Sequence, residues 1–462
     1  MALENDQIIT VANSKMKKII VFSFLLGLIG VSCSTQEAEW RPNAQNPEFL
    51  HRAVKQVTDV IVHDIFSPPV AARIYSYMSI AAYEAALHQD EKYISLAGQL
   101  KGLEPLPQPE SGAIYSFPLA SVQAALKVGQ TLVFSEDKMD VFYNSIMQEY
   151  RDTGMPEDVF DRSIEFGNQV ADHILAWSSK DNYKQSRSFP KYSIQDDPAT
   201  WKPTPPTYMD GVEPHWNKIR TFVLDSAQQF KPVPPTPFST DKNSQFYKEA
   251  LEIYEMGNNM TPEQRDFTFF WDCNPFMMNV KGHVMFATKK ISPGGHWMNI
   301  TYVACKKLKT DFAQSAEAYA RVSIALQDAF ISCWDEKYRS NLIRPETYIN
   351  QYIDEDWVPT LQTPPFPEYS SGHSVISAAS AATLTNLFGD GFAFTDSTEM
   401  EFGLTARSFD SFYKASEEAA ISRMYGGIHY RPACENGLKE GKDIGNFILD
   451  RVKTRKEQLA KN

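Results

Sequence analysis

Prolines at positions 190, 198, 203, 205, 206, 214, 232, 234, 235 and 237 exclude regular helix or strand over most of residues 185–238. Regular structure must therefore lie on either side of this stretch. The stretch is no bare linker, because Trp201, Tyr208, Trp216, Phe222 and Phe230 need apolar surface to lie against. It is expected to be an ordered excursion that wraps the body and borders a site. Upstream, Leu50, Ala53, Val54, Val57, Val60 and Ile61 follow the helical period, and Ser67-Pro68-Pro69 breaks that helix. A second helix runs from Val70 to Leu87, and residues 120–134, 135–152 and 156–178 continue the pattern. Downstream, helices are expected at 239–256, 261–271, 310–333, 371–388, 408–424 and 435–453. Alternating apolar runs are few, so the chain reads as all-α: helical bundles over 47–184 and 239–457, joined by the proline-rich excursion at 185–238.

The amino terminus carries Lys17-Lys18, the apolar run Ile19 to Val31, and Ser32-Cys33-Ser34. The run is shorter than the ~20 residues of a membrane span, so it reads as a cleaved export signal with Met16 as the natural start. It resembles a bacterial lipoprotein signal, which implies lipidation of Cys33. Residues 1–33 are then upstream extension and signal, and 34–46 a tether. The expected location is the cell envelope, periplasmic or surface-exposed, with membrane attachment through the lipid alone. Cys273, Cys305, Cys333 and Cys434 show no CxxC spacing, so neither a zinc site nor a defined disulfide is expected, although an exported protein could hold one bridge. A net charge of −12 argues against nucleic acid and says nothing against a small anion, whose field is set locally.

Three segments concentrate chemistry. Pro364 to Ser374 is a proline-stiffened loop ending in Ser371-Gly372-His373, after which a helix opens. Its free N–H groups suit an oxyanion, Gly372 lets the anion approach, and His373 is placed to move a proton. Lys337 and Arg344 are seven residues apart, which on a continuous helix puts both on one face, and Pro345 biases Arg344 out of the α region. Arg423 and His429 flank Gly426-Gly427, which can end a helix and turn His429 back toward Arg423.

In order and internal spacing, K-x6-R-P, S-G-H and S-R-x5-H resemble the signature shared by vanadium-dependent haloperoxidases and the type 2 phosphatidic acid phosphatases. The likeness covers roughly residues 330–430, and Trp334 with Pro364-Pro365-Phe366 resembles the haloperoxidase branch. It implies a helical-bundle fold and an oxyanion cage of Lys337, Arg344, Ser371, Gly372 and Arg423, walled by Trp334 and Phe366. It implies His429 as the in-line ligand of vanadium, or the nucleophile on phosphorus, and His373 as general acid–base. Asp272 lies where the haloperoxidase branch carries an acidic residue that holds the cations, while His296 is expected to cap its helix or line the pocket. Two departures stand out: Ser370 replaces a usual proline, and Ala433 replaces the aspartate four residues after the second histidine, leaving Glu435 as a poorly spaced substitute. Three functions follow as alternatives. The first is a haloperoxidase with vanadate as cofactor and peroxide and halide as partners. The second is an acid phosphatase without cofactor, acting on phosphoesters; the third is an envelope anion-binding protein with little turnover.

Overall fold

The computed structural model describes residues 39–459; the signal-like segment and Cys33 lie outside that range. The first half is built chiefly from α1 (Glu48–His63), α2 (Pro68–Ala86), α3 (Phe117–Leu132), α4 (Glu136–Asp152) and α5 (Glu157–Ser178). Helix α2 is buried on every side, so its alanines and aromatics face neighbours all round and no amphipathic stripe survives. The second half contains α6 (Gln245–Asn258), α7 (Pro262–Phe270), α8 (Pro293–Leu308), α9 (Phe312–Ser340), α10 (Pro345–Tyr352), α11 (Gly372–Phe388), α12 (Phe412–Tyr425) and α13 (Arg431–Arg451). The fold is all-α, as its periodicities require.

Two small antiparallel hairpins were not anticipated. Strand β1 (Met278–Lys281) pairs with β2 (Val284–Ala287), and β3 (Phe394–Asp396) with β4 (Arg407–Phe409). Strands of three or four residues are too short for alternation to register in a sequence.

One continuous apolar core joins the halves, running from Leu50, Tyr75 and Leu119 through Leu326 to Val375 and Ile444. A smaller cluster around Phe246, Tyr348, Trp357 and Tyr430 packs beneath the site. Between the halves, the proline-rich excursion lies along α9. The backbone N–H groups of Phe222, Val223 and Leu224 donate to the buried Asp328 carboxylate at 2.7, 2.8 and 2.9 Å. The Val212 carbonyl accepts from Trp334 Nε1 at 3.2 Å and from Tyr338 Oη at 2.7 Å, so a segment without regular structure still meets its backbone polar groups.

Helices α11 and α13 approach unusually closely because α13 presents Gly437, Gly441 and Gly445 to α11. A Cβ at Gly441 would lie 1.9 Å from the Val375 carbonyl oxygen, and one at Gly437 would lie 2.9 Å from Ser374 Cβ. Only glycine permits that approach, and it fixes the start of α11 in place.

Candidate active site

Helix α11 opens as expected, with Ser371 as its N-cap; the side chain accepts from the Ser374 N–H, and Gly372 and His373 form the first turn. Trp334, Phe366, Gly372, His373, Arg423 and His429 line one cavity together with Asp272 and Cys273. Lys337, Arg344 and Ser371 do not line it: Arg344 bonds to the lining residues Phe366 and Ile428, Lys337 packs its ammonium beside the Phe366 ring, and Ser371 directly precedes Gly372.

Lys337 and Arg344 do not share a helix. Helix α9 ends at Ser340, Asn341 turns left-handed at φ +47, and Arg344 is the extended residue before α10. Pro345 sets that conformation, as its sequence position predicts, and the guanidinium reaches inward. Arg344 Nε donates to the Phe366 carbonyl at 2.9 Å and Nη1 to the Ile428 carbonyl at 2.6 Å; Nη2 is buried without a partner. Lys337 Nζ donates to the carbonyls of Pro367, Glu368 and Ser370 at 3.1, 3.1 and 2.6 Å. Complete burial pulls Lys337 down to about 8 and Arg344 to about 10. The Trp334 and Phe366 rings meet at 4.9 Å with their planes tilted by 53°, and Lys337 Nζ lies 5.1 Å from the Phe366 ring.

Gly427, at φ +77, turns the chain after α12 and returns His429 to the cavity that Arg423 lines. Arg423 donates to Ser422 Oγ at 3.0 Å and to the Thr268 carbonyl at 3.3 Å. Burial lowers its affinity for a proton, while the nearby Asp272 carboxylate acts in the opposite direction. Asp272 is buried in the wall and also pairs with Lys290.

His429 has a carboxylate partner that spacing did not reveal. Its Nδ1 lies 2.9 Å from Glu368 Oε1, which also accepts from the Tyr430 N–H at 2.9 Å. His429 Nε2 lies 3.1 Å from Arg344 Nη1. Arginine only donates, so Nε2 accepts and the ring proton sits on Nδ1, facing Glu368. The lone pair of Nε2 therefore points to the cationic side of the site. Ala433 does not leave His429 without an orienting group: Glu368 fills that role, and Ala433 instead offers its carbonyl to the Ser371 N–H at 3.1 Å. Glu435 is no substitute, being bonded to Arg431 at 3.3 Å. Ser370, in the family's proline position, donates to Glu440 at 2.8 Å. Burial raises Glu368 to about 7, partly offset by Arg344 and Lys337.

His429 is held well below its usual range by burial and then by Arg344 and Lys337. His373 is likewise depressed, by burial and then Arg423; a backbone hydrogen bond at Trp271 acts the other way, and Nε2 is left unpartnered. Both histidines are neutral bases among cations. His296 differs from both expectations. It neither caps α8, whose cap is Ser292, nor lines the cavity, but is wholly buried against Asp396 at 2.7 Å.

Residues 317–458 match the family described as the VCPO second helical-bundle domain. No curated protein matches by sequence. Among solved structures, holo-type and apo-type bacterial vanadium-dependent chloroperoxidases share 16% identity with this chain. They cover 84% of it and 93% and 95% of their own lengths, with TM-scores of 0.62 and 0.63, a likeness of fold. A structure described as the first bacterial vanadium-dependent iodoperoxidase aligns over 88% of this chain and 97% of its own, at 51% identity and TM-score 0.84. Identity at that level, sustained along nearly the whole of a relative, means that this chain belongs to the vanadium-dependent haloperoxidase family.

Proposed function

We propose that the cavity between α9, α11 and α12 holds vanadate and that the protein uses peroxide to oxidise a halide, with iodide as its preferred substrate. The observation that carries this reading is the set of buried, unpartnered donors and acceptors, Arg344 Nη2 and His373 Nε2, beside the His429 Nε2 lone pair. Bare polar atoms in a buried site are costly unless a ligand meets them. The residues fit a tetrahedral or trigonal-bipyramidal oxyanion. Lys337, Arg344 and Arg423 would neutralise its oxygens, and the first turn of α11, with Gly372 and His373, lines the cavity, where unpaired helix N–H groups suit an anion.

Bound vanadate supplies a Lewis-acidic centre that activates peroxide toward halide. His429 would hold vanadate through Nε2, because Glu368 keeps the ring proton on Nδ1. His373, neutral at physiological pH, takes a proton from incoming peroxide at Nε2 and returns it to a leaving oxygen. Trp334 and Phe366 exclude water and favour a weakly hydrated halide, which supports iodide, as does the 51% identity to an iodoperoxidase. Upstream of the described residues, Cys33 is proposed as a lipid attachment that holds the enzyme at the cell envelope. The short apolar run ending at Ser32-Cys33 supports this, and Cys33→Ser should release the protein from membranes.

The decisive experiment loads purified protein with vanadate, supplies peroxide with iodide, bromide or chloride, and follows halogenation of a dye. Phosphoester hydrolysis is measured in parallel. Iodide oxidation that falls about 10² to 10⁴-fold in His373→Ala is expected. Hydrolysis without halide oxidation would assign the cage to phosphoester chemistry instead.

A further inference from the structure

Behind the wall of the cavity, the corner after α7, the first turn of α8 and the β3–β4 connection bring Cys273, His296 and Glu399 around one point, all three buried. His296 Nδ1 lies 3.3 Å from Cys273 Sγ and 3.1 Å from Glu399 Oε1, and those two atoms are 3.8 Å apart. The centre of a triangle with these sides is about 2.0 Å from each corner, and tetrahedral zinc sits about 2.3 Å from sulfur and about 2.0–2.2 Å from nitrogen or oxygen. We propose that Cys273, His296 and Glu399 form a binding site for a divalent cation of the zinc class.

The surroundings suit such an ion. His296 Nε2 lies 2.7 Å from Asp396 Oδ2, and Asp396 is fixed in turn by the Thr398 N–H at 2.9 Å and Thr398 Oγ1 at 2.6 Å. A carboxylate on the far nitrogen of a ligating histidine is the usual outer support of a zinc site; it sets the tautomer that leaves Nδ1 free to bind. A thiolate with an imidazole selects zinc over calcium or magnesium. Binding replaces the proton on the Cys273 thiol and any proton on His296 Nδ1, so the ion's two positive charges meet thiolate and carboxylate. Three protein donors leave one coordination position for water. Cys273 also lines the vanadate cavity, which gives the ion a way in. Cysteine spacing could not show this site, because the donors come from positions 273, 296 and 399.

The ion would pin the Trp271–Cys273 corner, where His373 hydrogen-bonds the backbone, to the connection between β3 and β4. The competing arrangement is metal-free: an imidazolium clamped by two carboxylates beside a neutral thiol. The test uses untagged protein, kept reduced, stripped with chelator, exposed to one equivalent of Zn²⁺ and desalted before metal analysis; a parallel sample is titrated with Co²⁺. One retained zinc per chain is expected, with a thiolate-to-cobalt charge-transfer absorption that vanishes in Cys273→Ser and survives in Cys305→Ser. Glu399→Gln, a second arm, should weaken zinc retention at least tenfold without removing the thiolate signal. No retained zinc, or retention that Cys273→Ser leaves unchanged, overturns the site.

Discussion

In the metal-free protein, His429 and His296 are buried in the same bundle and each is held by carboxylate, yet their charge states are opposite. Burial alone lowers both. Around His429, Arg344 and Lys337 add to that effect, and the ring stays neutral although Glu368 is bonded to it. Around His296, Asp396 and Cys273 outweigh burial and raise the ring well above its usual range. A carboxylate neighbour therefore does not decide whether a buried histidine carries charge; the sum of its surroundings does. Near cations the carboxylate orients a neutral base, and away from them it forms an ion pair.

The largest expected effect separates the two directly. With chelator present, His296→Leu strands Asp396 and Glu399 without a counter-charge and should cost about 3–5 kcal/mol in urea unfolding, the usual penalty for half of a buried pair. His429→Leu leaves Glu368 facing Arg344 and Lys337, so it should unfold near the wild-type midpoint while losing vanadate-dependent turnover. Equal destabilisation by the two would break the comparison.

A smaller effect tests what Glu368 does. Glu368→Ala removes the group that fixes the His429 tautomer, and vanadate affinity measured by titration should fall about 10–100-fold. Glu368→Gln should fall between wild type and Ala, because its amide oxygen can still accept from Nδ1. If Gln and Ala behave alike, the charge of Glu368 rather than its acceptor matters.

The smallest effect is in the pH dependence of stability, measured with chelator present. His296 has a raised folded pKa, so its contribution is fully present below the unfolded value near 6.5 and is lost as pH rises through the folded value. His429 has a depressed folded pKa, so its contribution is present above 6.5 and is lost as pH falls. The gap between wild type and His296→Asn should therefore narrow with increasing pH, whereas His429→Asn should gain stability relative to wild type as pH falls below about 6.5. Parallel profiles would contradict the assigned charge states.

The helices and the start of the site were legible because both are local. Apolar periodicity located α1 to α5, Pro345 set the backbone of Arg344, and Ser371 capped α11 as its position before Gly372 and His373 suggested. What sequence reading missed depends on long-range partners. Glu368 stands inside the proline-stiffened loop, but its partner is 61 residues away, and the family resemblance implies the orienting acid at position 433 instead. A signal was present: an acidic residue between Pro367 and Tyr369, in a run otherwise destined for burial, needs a buried partner. His296 was misread for the same reason, since Asp396 lies 100 residues farther along.

The glycines at 437, 441 and 445 bear on how this enzyme could be diversified. A side chain at 437 or 441 would push into Ser374 or Val375 and so displace the first turn of α11 that carries Gly372 and His373, while one at 445 would press on Ala379 and Ala382 farther along the same helix. The floor of the reaction chamber is therefore closed to substitution, whereas the aromatic wall is made of interchangeable parts. A library seeking a different halide or a bulkier organic acceptor should vary Trp334 and Phe366 and hold α13 constant, because new specificity can come only from surfaces that can change shape without moving the catalytic groups.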